Sequence, residues 1–179
     1  MPPSAPGEEA ARTGRQGRPR RRAATALAGL ALALALAPQG AMAQKVRITN
    51  LSDVDFGLIA NPQLEARRSQ NICVFSNSSG EAYSVSASGS GAGSSFALAS
   101  GSDSLAYEVE WSQTSGQTSG IPLAPAVALT GQQSAATQQF CNSGPATSAS
   151  MTIVLRAAEL SRARQGNYSG TLTLLIAAE

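Results

Sequence analysis

Histidine is absent from this sequence, which removes His-based catalytic triads and the commonest metal ligand together. The remaining chemistry rests on short groups of carboxylates, glycines and cysteines. Asp53 and Asp55 stand two apart, so on a strand both would point to one side. They could hold a cation there, but a solvated strand edge is the favoured reading. Glu108 and Glu110 repeat that spacing. Glycosidase carboxylates come from separate elements that flank a cleft, so this pair reads as an ordinary polar face. Gly89-Ser90-Gly91-Ala92-Gly93 lacks the lysine and the following helix of a phosphate loop, and reads as a hairpin turn. Asn50, Asn77 and Asn167 each begin an Asn-X-Ser match, a pattern frequent by chance in a Ser-rich chain. No catalytic residue, metal ligand or cofactor is assigned, and the chain is not expected to be an enzyme.

Two cysteines, Cys73 and Cys141, complete the inventory. In an exported protein an even pair most simply means one disulfide. Two lone cysteines without histidine make a poor metal site. A bridge closing so long a loop would stabilise the fold by about 4 kcal/mol on the chain-entropy account.

The elements that position these residues follow a period of two. Val46 and Ile48 alternate with Lys45, Arg47 and Thr49, and Val54-Asp55-Phe56-Gly57-Leu58 reads as a further core-like strand. Ile72 to Phe75 is a short apolar run. Tyr83, Val85 and Ala87 alternate with serines, and Phe96 and Leu98 mark the next strand. Leu105, Tyr107, Val109 and Trp111 form the clearest alternation, and weaker strands are expected around Val127–Leu129 and Phe140–Cys141. Met151, Ile153 and Leu155 alternate, the 157–165 stretch could make a helical turn, and Tyr168, Leu172, Leu174 and Ile176 close the pattern. About eight short strands bounded by Gly, Ser, Asn and Pro predict an all-β, antiparallel β-sandwich.

The first 43 residues read as a secretory signal peptide, and 44–179 as one β-sandwich domain. Six arginines from Arg12 to Arg22 precede an uncharged run from Ala23 to Ala37, and Ala41-Met42-Ala43 offers a cleavage site before Gln44. The run is too short to span a bilayer, so no membrane span is expected after cleavage. The leader carries six of the 13 Lys and Arg but only two of the 11 acids. The remainder is left slightly acidic, with nothing basic to attract nucleic acid or anionic lipid.

At the C-terminal end, Gly166-Asn167-Tyr168-Ser169-Gly170-Thr171-Leu172-Thr173-Leu174-Leu175-Ile176 resembles the closing strand of the spore coat protein U family, which includes archaic chaperone–usher pilus subunits. Val54-Asp55-Phe56-Gly57, Cys73 followed by Tyr83-Ser84-Val85, and Leu105-Ala106-Tyr107 agree with it in order. The resemblance implies an immunoglobulin-like sandwich lacking one strand, which a periplasmic chaperone and then a sister subunit would supply by β-strand addition at an usher. On that reading Tyr168, Leu172, Leu174 and Ile176 line the donor-strand groove, and Val46, Ile48 and Leu51 are the candidate donor strand. The protein would pass through the periplasm to a surface fibre (fimbrium) serving cell adhesion. Two departures stand out: the segment before Val54 is short for a donor strand, and no cysteine lies near Gln44. The chain could be a subunit with a minimal donor strand, a tip or terminating subunit that only accepts one, or a self-contained exported binding module.

Overall fold

A computed structural model describes residues 43–179; the signal-peptide reading of 1–43 falls, save for Ala43, outside them. Among the described residues there are ten strands and one α-helix of four residues. The larger sheet has β2 (Ala66–Ser76), β9 (Ala149–Leu155) and β6 (Glu108–Ser112) at its centre, flanked by β1 (Val46–Thr49) and β7 (Ile121–Pro122). The smaller sheet runs β10 (Leu172–Ala178), β3 (Ala82–Gly89), β8 (Leu129–Gln133). A separate hairpin pairs β4 (Ala97–Ser100) with β5 (Asp103–Ala106). Every named strand pair is antiparallel. This is the all-β sandwich that the period-two pattern predicts.

Side-chain alternation shows why these residues choose strands. In β3, Tyr83, Val85 and Ala87 are buried while the intervening serines are only half-buried, so one face meets the opposite sheet. β9 is buried on both faces because it sits mid-sheet under a polar loop. Ser150 Oγ takes the Gln117 N–H and donates to the Thr114 carbonyl. The core centres on Trp111, whose indole N–H donates to Tyr83 Oη at 3.3 Å, the two rings meeting edge to face. Phe96 stacks on Tyr107 beside them.

Burial pushes the Tyr83 hydroxyl up to about 12, against a small opposing pull from the Trp111 N–H, and raises Tyr107 for the same reason. A phenol kept neutral by the fold stabilises it fully below pH 10, and that stability drains away as pH climbs towards 12. In an alkaline titration followed by tyrosinate absorbance, Tyr83 should ionise only as near-ultraviolet dichroism is lost. Tyr83→Phe should delay part of that alkaline loss. It should also cost about 1–3 kcal/mol at neutral pH, because the indole N–H is left without a partner.

Four sequence expectations change. Val54–Leu58 is not a strand: residues 50–60 have no regular structure and Leu58 is 93% exposed. Asp55 Oδ1 takes the Gly57 N–H at 2.7 Å, and Gly57 adopts a φ of +61° that a strand cannot hold. Phe140–Cys141 is likewise a turn, Cys141 having a φ of +49° and Phe140 lying exposed. The run Leu105–Trp111 divides at Tyr107, whose N–H donates to the Phe96 carbonyl, so β5 serves the hairpin and β6 the larger sheet. The strand expected around Val127 begins only at Leu129, after Ala126 turns with a φ of +59°. The helical turn expected within 157–165 is α1 (Ala157–Leu160), with Leu160 buried.

Candidate functional site

The sandwich has two lateral edges, and they differ. On one, β7 passes directly into β8 through residues 123–128. Leu123 is buried there with its N–H on the Val109 carbonyl, and the Ala126 N–H reaches the Ala87 carbonyl. That edge is closed by the chain's own backbone. The opposite edge is formed by β1 and β10, which approach each other from the two sheets.

β10 pairs along its whole length with β3, from Leu172 opposite Gly89 to Ala178 opposite Tyr83. Among the described residues no strand pairs with its other side. Its inward residues Leu172, Leu174 and Ile176 pack on the core but remain half-buried, alternating with exposed Thr173, Leu175 and Ala177. One strand further in, Tyr83, Val85 and Ala87 are at most 1% exposed. Burial therefore falls away towards the outer side of β10, where a row of backbone N–H and C=O groups faces outward. The strand is set in place at its start: Ala99 and Ser169 exchange backbone hydrogen bonds, and Gly89 lets β3 pass under the β4 hairpin, where a Cβ would lie 2.1 Å from the Ser95 carbonyl oxygen.

Tyr168 lies before β10 rather than on it. Its ring packs against the core, and its hydroxyl donates to the Arg164 carbonyl at 3.0 Å. Val46 and Ile48 lie in β1, paired with β2 of the same chain and packed on its core. Leu51 falls beyond the strand, which Asn50 ends with a φ of +64°, and is 47% exposed.

β1 is also held from outside the sheet. Cys73 and Cys141 form a disulfide with their Cα atoms 6.0 Å apart, as the cysteine count suggests. Alternation puts Cys73 and Phe75 on the face of β2 away from the main core, where they pack with Ala136 and Cys141. The bridge thereby pins residues 134–148 across that face. From this flap Phe140 lies under the Arg47 guanidinium, 3.9 Å from its centre, and the Ala146 carbonyl accepts from Asn50 Nδ2. Ser134 and Ser148 hydroxyls both donate to the Val74 carbonyl. Nothing in the local sequence of 134–148 announces this role, which depends on the disulfide partner in β2.

The carboxylates are structural. Asp53 and Asp55 lie in the irregular segment, not on one strand face. Glu108 and Glu110, expected as an ordinary polar face, join an ion-pair network instead. Arg67 bridges Glu65 and Glu110, Arg156 bridges Glu65 and Glu108, and the Gly120 N–H also reaches Glu110. Glu110 is only 6% exposed. The Arg67 hydrogen bond, helped by Arg156, holds Glu65 below the usual carboxylate range, and the Arg156 hydrogen bond does the same for Glu108. A nearby hollow of about 270 Å³ contains Glu108, Arg156 and Glu159 and belongs to this network. Among the described residues no group of three or more Cys, Asp or Glu is placed to hold a metal ion, and no helix is long and apolar enough to cross a membrane.

No family model and no curated protein matches the chain. One solved structure that does, described as a chaperone–tip adhesin complex vital for synergistic activation of CFA/I fimbriae biogenesis, is 13% identical with a TM-score of 0.48. The match covers 76% of this chain and 41% of that one.

Proposed function

We propose that residues 44–179 are a structural subunit of an exported fibre, completed by a strand added along the free side of β10. The observation that supports this most directly is the half-buried inward face of Leu172, Leu174 and Ile176 on a strand paired on one side only. An added strand would satisfy the outward backbone groups and cover that face, gaining on the order of 1 kcal/mol for each side chain that becomes fully buried. A periplasmic pilus chaperone would supply the strand first and a sister subunit later, with an usher between. The resemblance of the C-terminal segment to spore coat protein U subunits points the same way. Because Val46 and Ile48 already serve the chain's own β1, the described residues favour a subunit that accepts a strand over one that donates them.

The second reading, a self-contained exported binding module, draws support from that same β1, which helps to complete the sandwich from within. Fusing a candidate donor strand through a flexible linker after Glu179, or co-expressing a cognate chaperone, separates the two. The fibre reading expects a higher denaturation midpoint and less self-association with the donor. A monomer equally stable without it would overturn the fibre reading in favour of the binding module.

A further inference from the structure

We infer that the turn 137–142, on the disulfide-pinned flap, is a binding site for a neutral saccharide. A shallow depression of about 430 Å³, wide open to solvent, lies there, lined by Phe75, Phe140, Thr137, Gln138, Gln139 and Asn142. Its size lies within the range of small-ligand sites. Its composition suits sugar recognition: aromatic surface for the C–H face of a pyranose, amides for its hydroxyls, and no charged residue in the lining itself, Arg47 lying against one face of Phe140.

Three further observations support a built site over a loose loop. The turn is tied down: Cys141 is bonded to Cys73, its N–H donates to the Gln138 carbonyl, and Thr137 Oγ1 donates to the Ser143 carbonyl at 2.9 Å. Phe140 is 53% exposed, yet it is held in place by Arg47 across its ring. An exposed aromatic fixed by a cation keeps its remaining surface ready without ordering cost at binding. The side-chain amides of Gln138, Gln139 and Asn142 line the depression and make no hydrogen bond within the described residues. Each unpaired amide offers a donor pair and an acceptor, the combination that reads adjacent hydroxyls. The site lies on the outer face of the larger sheet, and the inference does not depend on the free side of β10.

The test uses the full chain, recovered with its disulfide formed, and follows backbone amide signals by NMR. The probes are the methyl glycosides of glucose, galactose, mannose and N-acetylglucosamine, titrated to tens of millimolar. At least one should shift the signals of residues 137–142 saturably, with a dissociation constant on the order of 1 mM. Phe140→Ala should weaken that binding about tenfold, Gln139→Ala should weaken it as well, and Phe140→Trp should retain it. Leu175→Ser, on the opposite sheet, should change nothing. Absence of saturable shifts with all four glycosides overturns the proposal. So does saturable binding whose shifts fall elsewhere, or binding that Phe140→Ala and Gln139→Ala both leave intact.

Discussion

Leu174→Asp should abolish stabilisation by a donated strand, whereas Leu175→Asp, the next residue along, should leave it nearly unchanged. Both residues belong to the same edge strand and pair with adjacent residues of β3, Ala87 and Ser86. They differ in the face they present. Leu174 packs on the core and is half-buried; Leu175 is 65% exposed. A carboxylate at 174 would have to be desolvated when a strand closes over it, with no basic partner on β10 or β3. An inward-pointing charge is also a device by which natural edge strands refuse a partner. The substitution should cost about 2–5 kcal/mol in the isolated domain through lost packing and desolvation. The diagnostic quantity is the further gain on adding the donor, read as the difference in urea midpoint with and without the fused strand. That gain should vanish in Leu174→Asp and survive in Leu175→Asp. Leu174→Ala provides the milder case, removing contact without charge, and should reduce the gain without eliminating it. Equal gains in all the variants would show that the donor binds elsewhere and would remove β10 from the fibre reading.

The face of β10 was legible in the sequence because two conditions hold there. The strand is long enough for alternation to repeat, and one side of it meets solvent, so period two survives as a contrast between Leu172, Leu174 and Ile176 and their neighbours. The same holds for Tyr83, Val85 and Ala87. Where both faces are covered the contrast disappears: β9 buries Ser150 and Thr152 as completely as Met151, and only its apolar members were visible beforehand. Val54–Leu58 misled in the opposite direction. Val54 and Phe56 are half-buried on an irregular segment, and with Leu58 their alternation imitates a strand over five residues. The Asp55–Gly57 turn was the available signal against it. This segment still follows the side of β2, through Gln70 Oε1 to Ser52 and Arg68 Nε to the Asp55 carbonyl. The partners of Glu108 and Glu110 could not be read locally at all. Arg67 is 43 residues from Glu110 and Arg156 is 48 from Glu108, and they meet only because β9 lies between β2 and β6.

Loss of the disulfide should produce the other large effect, and its distribution matters as much as its size. Cys73 and Cys141 are separated by 68 residues, so a Cys73→Ala/Cys141→Ala variant should lose about 4 kcal/mol through release of the unfolded chain. For a single small domain that is a large share of the whole stability. At a urea slope of roughly 1–3 kcal/mol per molar, the midpoint should fall by roughly 1–4 M. A purely unfolded-state effect would lower protection evenly across the fold. The structure predicts more than that, because the bridge also positions Phe140 over Arg47 and Ala146 against Asn50. Without it the flap 134–148 stays tied to β2 only at its ends, through Ser134 and Ser148. β1 then keeps its pairing with β2 and its core contacts but loses the hold of Phe140 and Ala146. Hydrogen exchange should therefore accelerate at Val46–Thr49 well beyond the global change, while β9 tracks the global change alone. If β1 and β9 lose protection equally, the flap does not hold β1. A total loss below about 1 kcal/mol would instead mean that the reduced chain keeps residues 73 and 141 together before folding. The expected pattern, a weakened β1 beside an intact β10, would make the disulfide a determinant of the same edge at which a donated strand would enter.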